Sequence, residues 1–211
     1  PAASSLTLLN SRALSVAGNF SNSGALHLGN LASFQIAGTT FTQASGTLTM
    51  QPGSILLAPG KTLQIAGGRL SGNGTINAHV NNAGGTIAPG NSPGELNVTG
   101  NFTQGAGGRL DIEIAGRDPN IPQFDRIRVS GTATLDGLLH VDLLDGFEPA
   151  PGDSFEFLTA AIVKNQFATT EFPAPSGPGR ALREEYEATK VVIEAQPLPP
   201  VIFVTPSGSS S

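Results

Sequence analysis

The sequence contains no cysteine and no tryptophan, and no aspartate or glutamate precedes Glu95. Without cysteine there is no disulfide staple and no thiolate for zinc or for nucleophilic attack, so burial and hydrogen bonding must hold the fold alone. Aromatic side chains are scarce, with one tyrosine (Tyr186), so the stacking platforms usual in sugar binding are weakly represented. Charged residues are 13% of the chain, roughly half the usual share. No apolar run approaches the ~18 residues that a spanning helix needs, which predicts no transmembrane segment. The chain opens Pro1-Ala2-Ala3-Ser4 without methionine, which fits either a cloned fragment or a mature N-terminus left after a signal peptide is removed.

The net charge of −5 argues against a nucleic-acid partner. Its distribution is more informative. Residues 1–94 carry only Arg12, Lys61 and Arg69, a charge of +3, whereas residues 95–211 hold all 16 acids and eight bases, a charge of −8. Two readings fit: a drift in composition between two domains, or complementary ends of a head-to-tail assembly.

What the chain does have is glycine (27 residues), proline (16), and a steady supply of Leu, Ile, Val and Phe among Ser, Thr, Asn and Gln. Its dominant pattern is apolar-x-apolar-x-Gly, a short polar stretch, then Gly-x-apolar-x-apolar. Copies begin at Leu14-Ser-Val16-Ala-Gly18, Phe34-Gln-Ile36-Ala-Gly38, Leu63-Gln-Ile65-Ala-Gly67, Leu96-Asn-Val98-Thr-Gly100 and Ile127-Arg-Val129-Ser-Gly131. Each half-unit alternates with period 2, the mark of a strand with one buried face. Self-similarity at roughly 20–35 residues indicates stacked repeats, because one unit cannot bury its apolar face alone. Residues 1–115 are therefore predicted to form coils of parallel strands, a β-helix. The alternative is an antiparallel sandwich, for which Asn73-Gly74 is the one hairpin candidate. Val16, Ile36, Leu48, Ile65, Ile76, Val98 and Ile112 are expected to point inward.

From about Arg117 the texture changes. Residues 116–195 are expected to form a smaller β-rich C-terminal domain or an irregular continuation, with strands at Leu138–Leu144 and Ser154–Thr159 and core side chains Phe155, Phe157 and Leu158. Ala181–Ala188 reads as a helix or as a strand of a hairpin with Val191-Val-Ile193, the hairpin being preferred. Residues 196–211 comprise a stiff Pro linker, the apolar strand Val201-Ile202-Phe203-Val204, and a Ser/Gly tail.

The stretch from Gly72 to Gln104, with Ile-Ala-Pro-Gly-Asn-Ser-Pro-Gly at its centre, resembles the C-terminal part of bacterial autotransporter passenger domains and of filamentous-haemagglutinin-type surface proteins. So does Phe124-Asp-Arg-Ile-Arg-Val-Ser-Gly-Thr-Ala-Thr-Leu-Asp-Gly137, followed by Pro151-Gly-Asp-Ser-Phe-Glu-Phe157. The resemblance covers roughly residues 60–195. It implies an all-β, right-handed parallel β-helix exported to the bacterial cell surface, with roles in adhesion or extracellular scaffolding. The sequence carries no membrane β-barrel translocator and is far shorter than most passengers, which fits a small, separately exported subunit better.

Catalysis is not expected. Polysaccharide-cleaving β-helices need clustered carboxylates, and none lies before Glu95. Asp111 and Glu113 alternate with apolar residues, as on the wet face of a strand. Asp142, Asp145 and Asp153 could gather at a Ca²⁺ ion, but no calcium-loop motif accompanies them. His27, His79 and His140 are scattered, so no metal site and no cofactor are expected. The triplets at Asn19, Asn73, Asn97 and Asn101 match the glycosylation pattern, mostly by chance in an Asn/Thr-rich chain. The expected function is a secreted structural subunit that polymerises head to tail with itself. Leu6, Leu8 and Leu9 would form an uncapped end, and Val201, Ile202, Phe203 and Val204 a strand donated to a neighbour, the alternative being that it folds back on its own domain. The alternative is an adhesin-like module that binds a cell-surface or matrix ligand.

Overall fold

The computed structural model describes residues 4–118, 121, 123–173 and 181–197. Its 20 strands belong to one curled sheet, and no helix occurs among the described residues. The strands follow one another in threes. The first set is β1 (Ser5–Leu8), β2 (Ala13–Val16) and β3 (Phe20–Asn22). The second is β4 (Ala25–Leu28), β5 (Ser33–Ile36) and β6 (Thr40–Gln43). β7 (Thr47–Ile65) and β8 (Arg69–Asn82) are long and each supplies a whole set, with register shifts where the chain turns. Then come β9 (Thr86–Pro89), β10 (Glu95–Val98) and β11 (Phe102–Gln104), and after them β12 (Arg109–Ile114), β13 (Arg126–Val129) and β14 (Thr132–Thr134). The last are β15 (Leu138–Leu143), β16 (Ser154–Thr159), β17 (Ile162–Lys164) and β18 (Thr169–Glu171), followed by β19 (Ala181–Tyr186) and β20 (Lys190–Gln196).

Pairing is parallel throughout the first eighteen strands and builds three ladders. The first runs β1-β4-β7-β8-β9-β12-β15-β18. The second runs β2-β5-β7-β8-β10-β13-β16. The third runs β3-β6-β7-β8-β11-β14-β17. Antiparallel strand pairs come at the far end, where β20 pairs with β16 and β19 with β20, and isolated antiparallel bridges join Gly72 to Gly90 and Ile114 to Phe124. Ala181–Tyr186 is thus the strand of a hairpin and not a helix. Pairings cross residue 115, since β12 joins β15 and β13 joins β10.

The period-2 alternation sends one apolar column inward from each ladder. On the first, Leu26, Leu48, Leu70, Ile87, Leu110 and Leu139 are register partners in succession, each at most 1% exposed. On the second, Leu14, Phe34, Leu56, Ile76, Val98 and Val129 line up. On the third, Phe20, Phe41, Leu63, Val80, Phe102 and Ala133 do so. Phe20, Phe34 and Phe41 meet across two ladders, with ring centroids 5.1–6.2 Å apart. Ile36, Leu48, Ile65, Ile76, Val98 and Ile112 are buried as expected, but Val16 is only half-buried because no other strand pairs with the outer edge of β2 among the described residues.

Two features correct the sequence reading. Asn73-Gly74 is not a hairpin: it lies inside β8, where Gly74 pairs in parallel with Ser54 and Leu96. The third repeat copy is also out of phase. Leu63–Ile65 belongs to the third ladder, whereas the partner of Phe34 is Leu56, so Gly67 marks a different corner from Gly18 and Gly38.

The corners explain why the chain is rich in asparagine. Asn10 Oδ1 accepts the Asn30 N–H at 2.9 Å, Asn19 Oδ1 that of Thr39 at 2.8 Å, Asn73 Oδ1 that of Glu95 at 2.7 Å, and Asn101 Oδ1 that of Thr132 at 3.0 Å. Each is a side-chain acceptor for a backbone donor in the next set of strands, where the ladder pauses to turn. Three of the four glycosylation-like triplets therefore begin at asparagines with a structural task. A second column points inward on the third ladder: Asn22, Gln43, Ile65, Asn82 and Gln104, its four amides at most 7% exposed. Asn22 Nδ2 donates to Gln43 Oε1 (2.8 Å) and Thr47 O (2.9 Å), and Gln43 Nε2 to Ser45 O (2.7 Å). Asn82 accepts from Gly85 N (3.0 Å) and donates to Arg109 O (3.2 Å), while Gln104 Nε2 donates to Leu138 O (3.0 Å).

Candidate functional site

The motif Ile87-Ala-Pro-Gly-Asn-Ser-Pro-Gly94 carries the chain from β9 to β10, and it closes around one buried acid. Asp125 is 1% exposed. Its Oδ1 accepts the N–H of Gly94 at 2.8 Å and its Oδ2 that of Glu113 at 3.0 Å, tying the turn to β12. The turn is further pinned by Ser92, whose Oγ donates to Glu113 Oε2 at 2.6 Å, and by Asn91, whose Nδ2 donates to Gln51 Oε1 at 3.1 Å. Gly90 has φ +94°, and a Cβ there would collide with Asp125 Oδ1 and Gly94 N, so both the conformation and the space demand glycine. Burial pushes the Asp125 carboxyl up to about 7, outweighing the two backbone N–H groups that pull it down; Glu113 adds to the rise and Arg69 opposes it. A carboxyl so enclosed holds backbone and does not present itself to a substrate.

Beside this clasp lies an open depression of about 430 Å³, with Gly53, Gly74 and Gly94 in its lining and Glu95 and Arg126 at one side. Glu95 pairs with Arg128 at 2.6 Å and with Arg126 at 3.8 Å. A second groove, about 410 Å³, crosses the outer face of the third ladder. Thr62, Gln64, His79, Asn81, Asn101 and Thr103 line it with hydroxyl, amide and imidazole groups. His79 is partly engaged, its Nδ1 accepting the Asn101 N–H at 2.9 Å.

The acids of the later strands are spread among separate partners. Asp111 bridges Arg69 (2.7 Å) and Arg109; Asp153 pairs with Arg117 at 3.0 Å; Asp142 and Glu171 each lie 3.0 Å from a different ring nitrogen of His140. Asp142 and Asp153 thus have different partners, and no cluster of three or more His, Asp or Glu that could hold an ion occurs among the described residues. The His140 contacts are solvent-facing, with the two carboxylate side chains more than half exposed. Such pairs are worth little, so His140→Ala is expected to change stability by less than about 1 kcal/mol in a urea titration.

Of the assembly residues expected from sequence, Leu6 and Leu8 lie in β1, and Leu9 follows it. Leu6 is 37% and Leu9 67% exposed, and Leu8 packs partly against the core. Leu31, 66% exposed, is a further surface leucine that sequence alone did not suggest. Val201, Ile202, Phe203 and Val204 lie outside the described residues. Nothing in the local pattern singles out Asp125 either, since it follows buried Phe124 and breaks the alternation. No helix among the described residues is long and apolar enough to cross a membrane. Comparison with protein-family models and with curated proteins finds no match to this chain.

Proposed function

We propose that this chain is a structural, non-enzymatic segment of a bacterial extracellular surface protein, built as a right-handed parallel β-helix that associates end to end with copies of itself. The observation that carries this reading is the asymmetry of the three ladders. They run in parallel, antiparallel β20 covers the end of the second at β16, and the turn between β19 and β20 reaches the third, where Ala188 O accepts the Val163 N–H of β17 at 2.8 Å. At the other end β1, β2 and β3 have no strand on their outer edges among the described residues. Unpaired edges of this kind recruit further strands. A head-to-tail neighbour would place its first strand against β18 in the same parallel sense, since β17 is already held by Ala188. The charges of +3 before Glu95 and −8 from there on favour that order. The right hand is the one that parallel crossover connections take in nearly all proteins. Val201–Val204 is the expected further connector.

The test is assembly state. Sedimentation velocity and negative-stain microscopy are expected to show oligomers or fibres that lengthen with concentration. The double variant Leu6→Lys/Leu9→Lys should be monomeric, because lysines on an edge block strand addition. Equal behaviour of the two proteins sinks the role of this end, and isolated short rods for both favour the second reading. That second reading is a ligand-binding surface module, and the groove of hydroxyls and amides on the third ladder speaks for it.

A further inference from the structure

We propose that Asp125 is a proton-operated latch: as a carboxylate it ties the 90–94 turn to β12, and on taking a proton it loosens one of those two ties. A carboxylate offers two acceptor oxygens and no donor, and each oxygen here takes one backbone N–H, from Gly94 in the turn and from Glu113 in β12. In the protonated acid one oxygen becomes a hydroxyl, a donor and a weaker acceptor, so one of the two bonds loses strength.

The surroundings set when this happens. From β12 the Glu113 carboxylate opposes ionisation, though it is occupied by the Ser92 hydroxyl. From β8 the Arg69 guanidinium favours ionisation while it bridges to Asp111. Arg126, next in the chain, lays its guanidinium over the Phe124 ring with 5.1 Å to the centroid. Burial exceeds these charge effects and raises the group to about 7, so the latch changes state near neutrality.

The sign follows. The unfolded carboxyl ionises near 3.8 and the folded one near 7, so folding takes up a proton between those values. The group therefore contributes its stability fully at pH below the unfolded value, and that contribution is lost as pH rises through the folded value. Below the midpoint the fold as a whole is not weakened by this group, yet one tie between the turn and β12 is loosened. Gly94 and Glu95, which follow the latch, line the 430 Å³ depression, so its wall is the element that would move.

The experiment is an NMR titration of the isotope-labelled full chain from about pH 5 to about pH 9. The Asp125 carboxyl carbon is expected to titrate near pH 7, and the Gly94 and Glu113 amides to shift with the same midpoint. Below it, exchange protection of one of these two amides should fall, by up to about tenfold, the factor for losing one ordinary bond. In Asp125→Asn the shared midpoint should vanish. A carboxyl that titrates in the ordinary acid range, or two amides that stay flat across the range, overturns the proposal. If Asp125→Asn does not fold, the wild-type carboxyl and amide titrations decide alone.

Discussion

Val98→Asp is expected to abolish cooperative folding. Val98 is 1% exposed and sits in the inner column of the second ladder, between Ile76 and Val129. An unpaired carboxylate at such a position costs several kcal/mol even after its proton affinity adjusts. The whole stability of a domain is only about 5–15 kcal/mol, so the variant should show no thermal transition in circular dichroism or one lowered by tens of degrees. Thr99→Asp is the control. Thr99 is the next residue and is exposed, and its replacement should stay within about 0.5 kcal/mol of the parent. Equal melting of the two variants would mean that Val98 does not face a core.

The second large effect belongs to the inner amides. Asn82 is fully buried, and Asn82→Leu removes the acceptor of the Gly85 N–H and the donor to Arg109 O. Each orphaned backbone group costs about 1–3 kcal/mol, so a loss of roughly 2–6 kcal/mol is expected in a urea titration. Ile65 is the one apolar member of this column. Neighbouring Asn81 points outward, where its Nδ2 donates to Gln64 Oε1 at 2.8 Å. Asn81→Leu should therefore cost less than about 1 kcal/mol. Comparable losses for Asn81 and Asn82 would contradict the inward amide column.

Strands, and the inward side chains of each, were legible in this sequence because period-2 alternation is a direct consequence of one buried face. Leu26 through Leu28 and Leu96 through Val98 could be read without a structure. Which ladder a strand joins was not legible, because all three ladders impose the same alternation. The glycine markers failed because more than one corner carries a glycine: in the β7 set the turn between the second and third ladders passes through Gly60, and Leu63–Gly67, which follows it, was matched to the wrong side. The amide column does leave a trace. Phe20-Ser-Asn22, Phe41-Thr-Gln43, Val80-Asn-Asn82 and Phe102-Thr-Gln104 each put an amide at an apolar phase position just before a glycine-bearing turn. Asp125 leaves none: its partners Gly94 and Glu113 come from separate elements that only the pairing of β10, β12 and β13 brings together.

The central claim is that the first ladder advances by one strand spacing at each step from β1 to β18. Ser5, Ala25, Thr47, Arg69, Thr86, Arg109, Leu138 and Thr169 are successive register partners along it. The chain has no native cysteine, so spin labels attach only where cysteines are introduced. Pulsed electron-electron distances between labels at Ala25→Cys and Arg109→Cys, four steps apart, and at Ala25→Cys and Thr169→Cys, six steps apart, should centre near about 19 Å and about 29 Å at ~4.8 Å per step. Two distances in that ratio support the parallel ladder over its length. A Thr169 label no farther from Ala25 than the Arg109 label, as in an antiparallel sandwich, would contradict it.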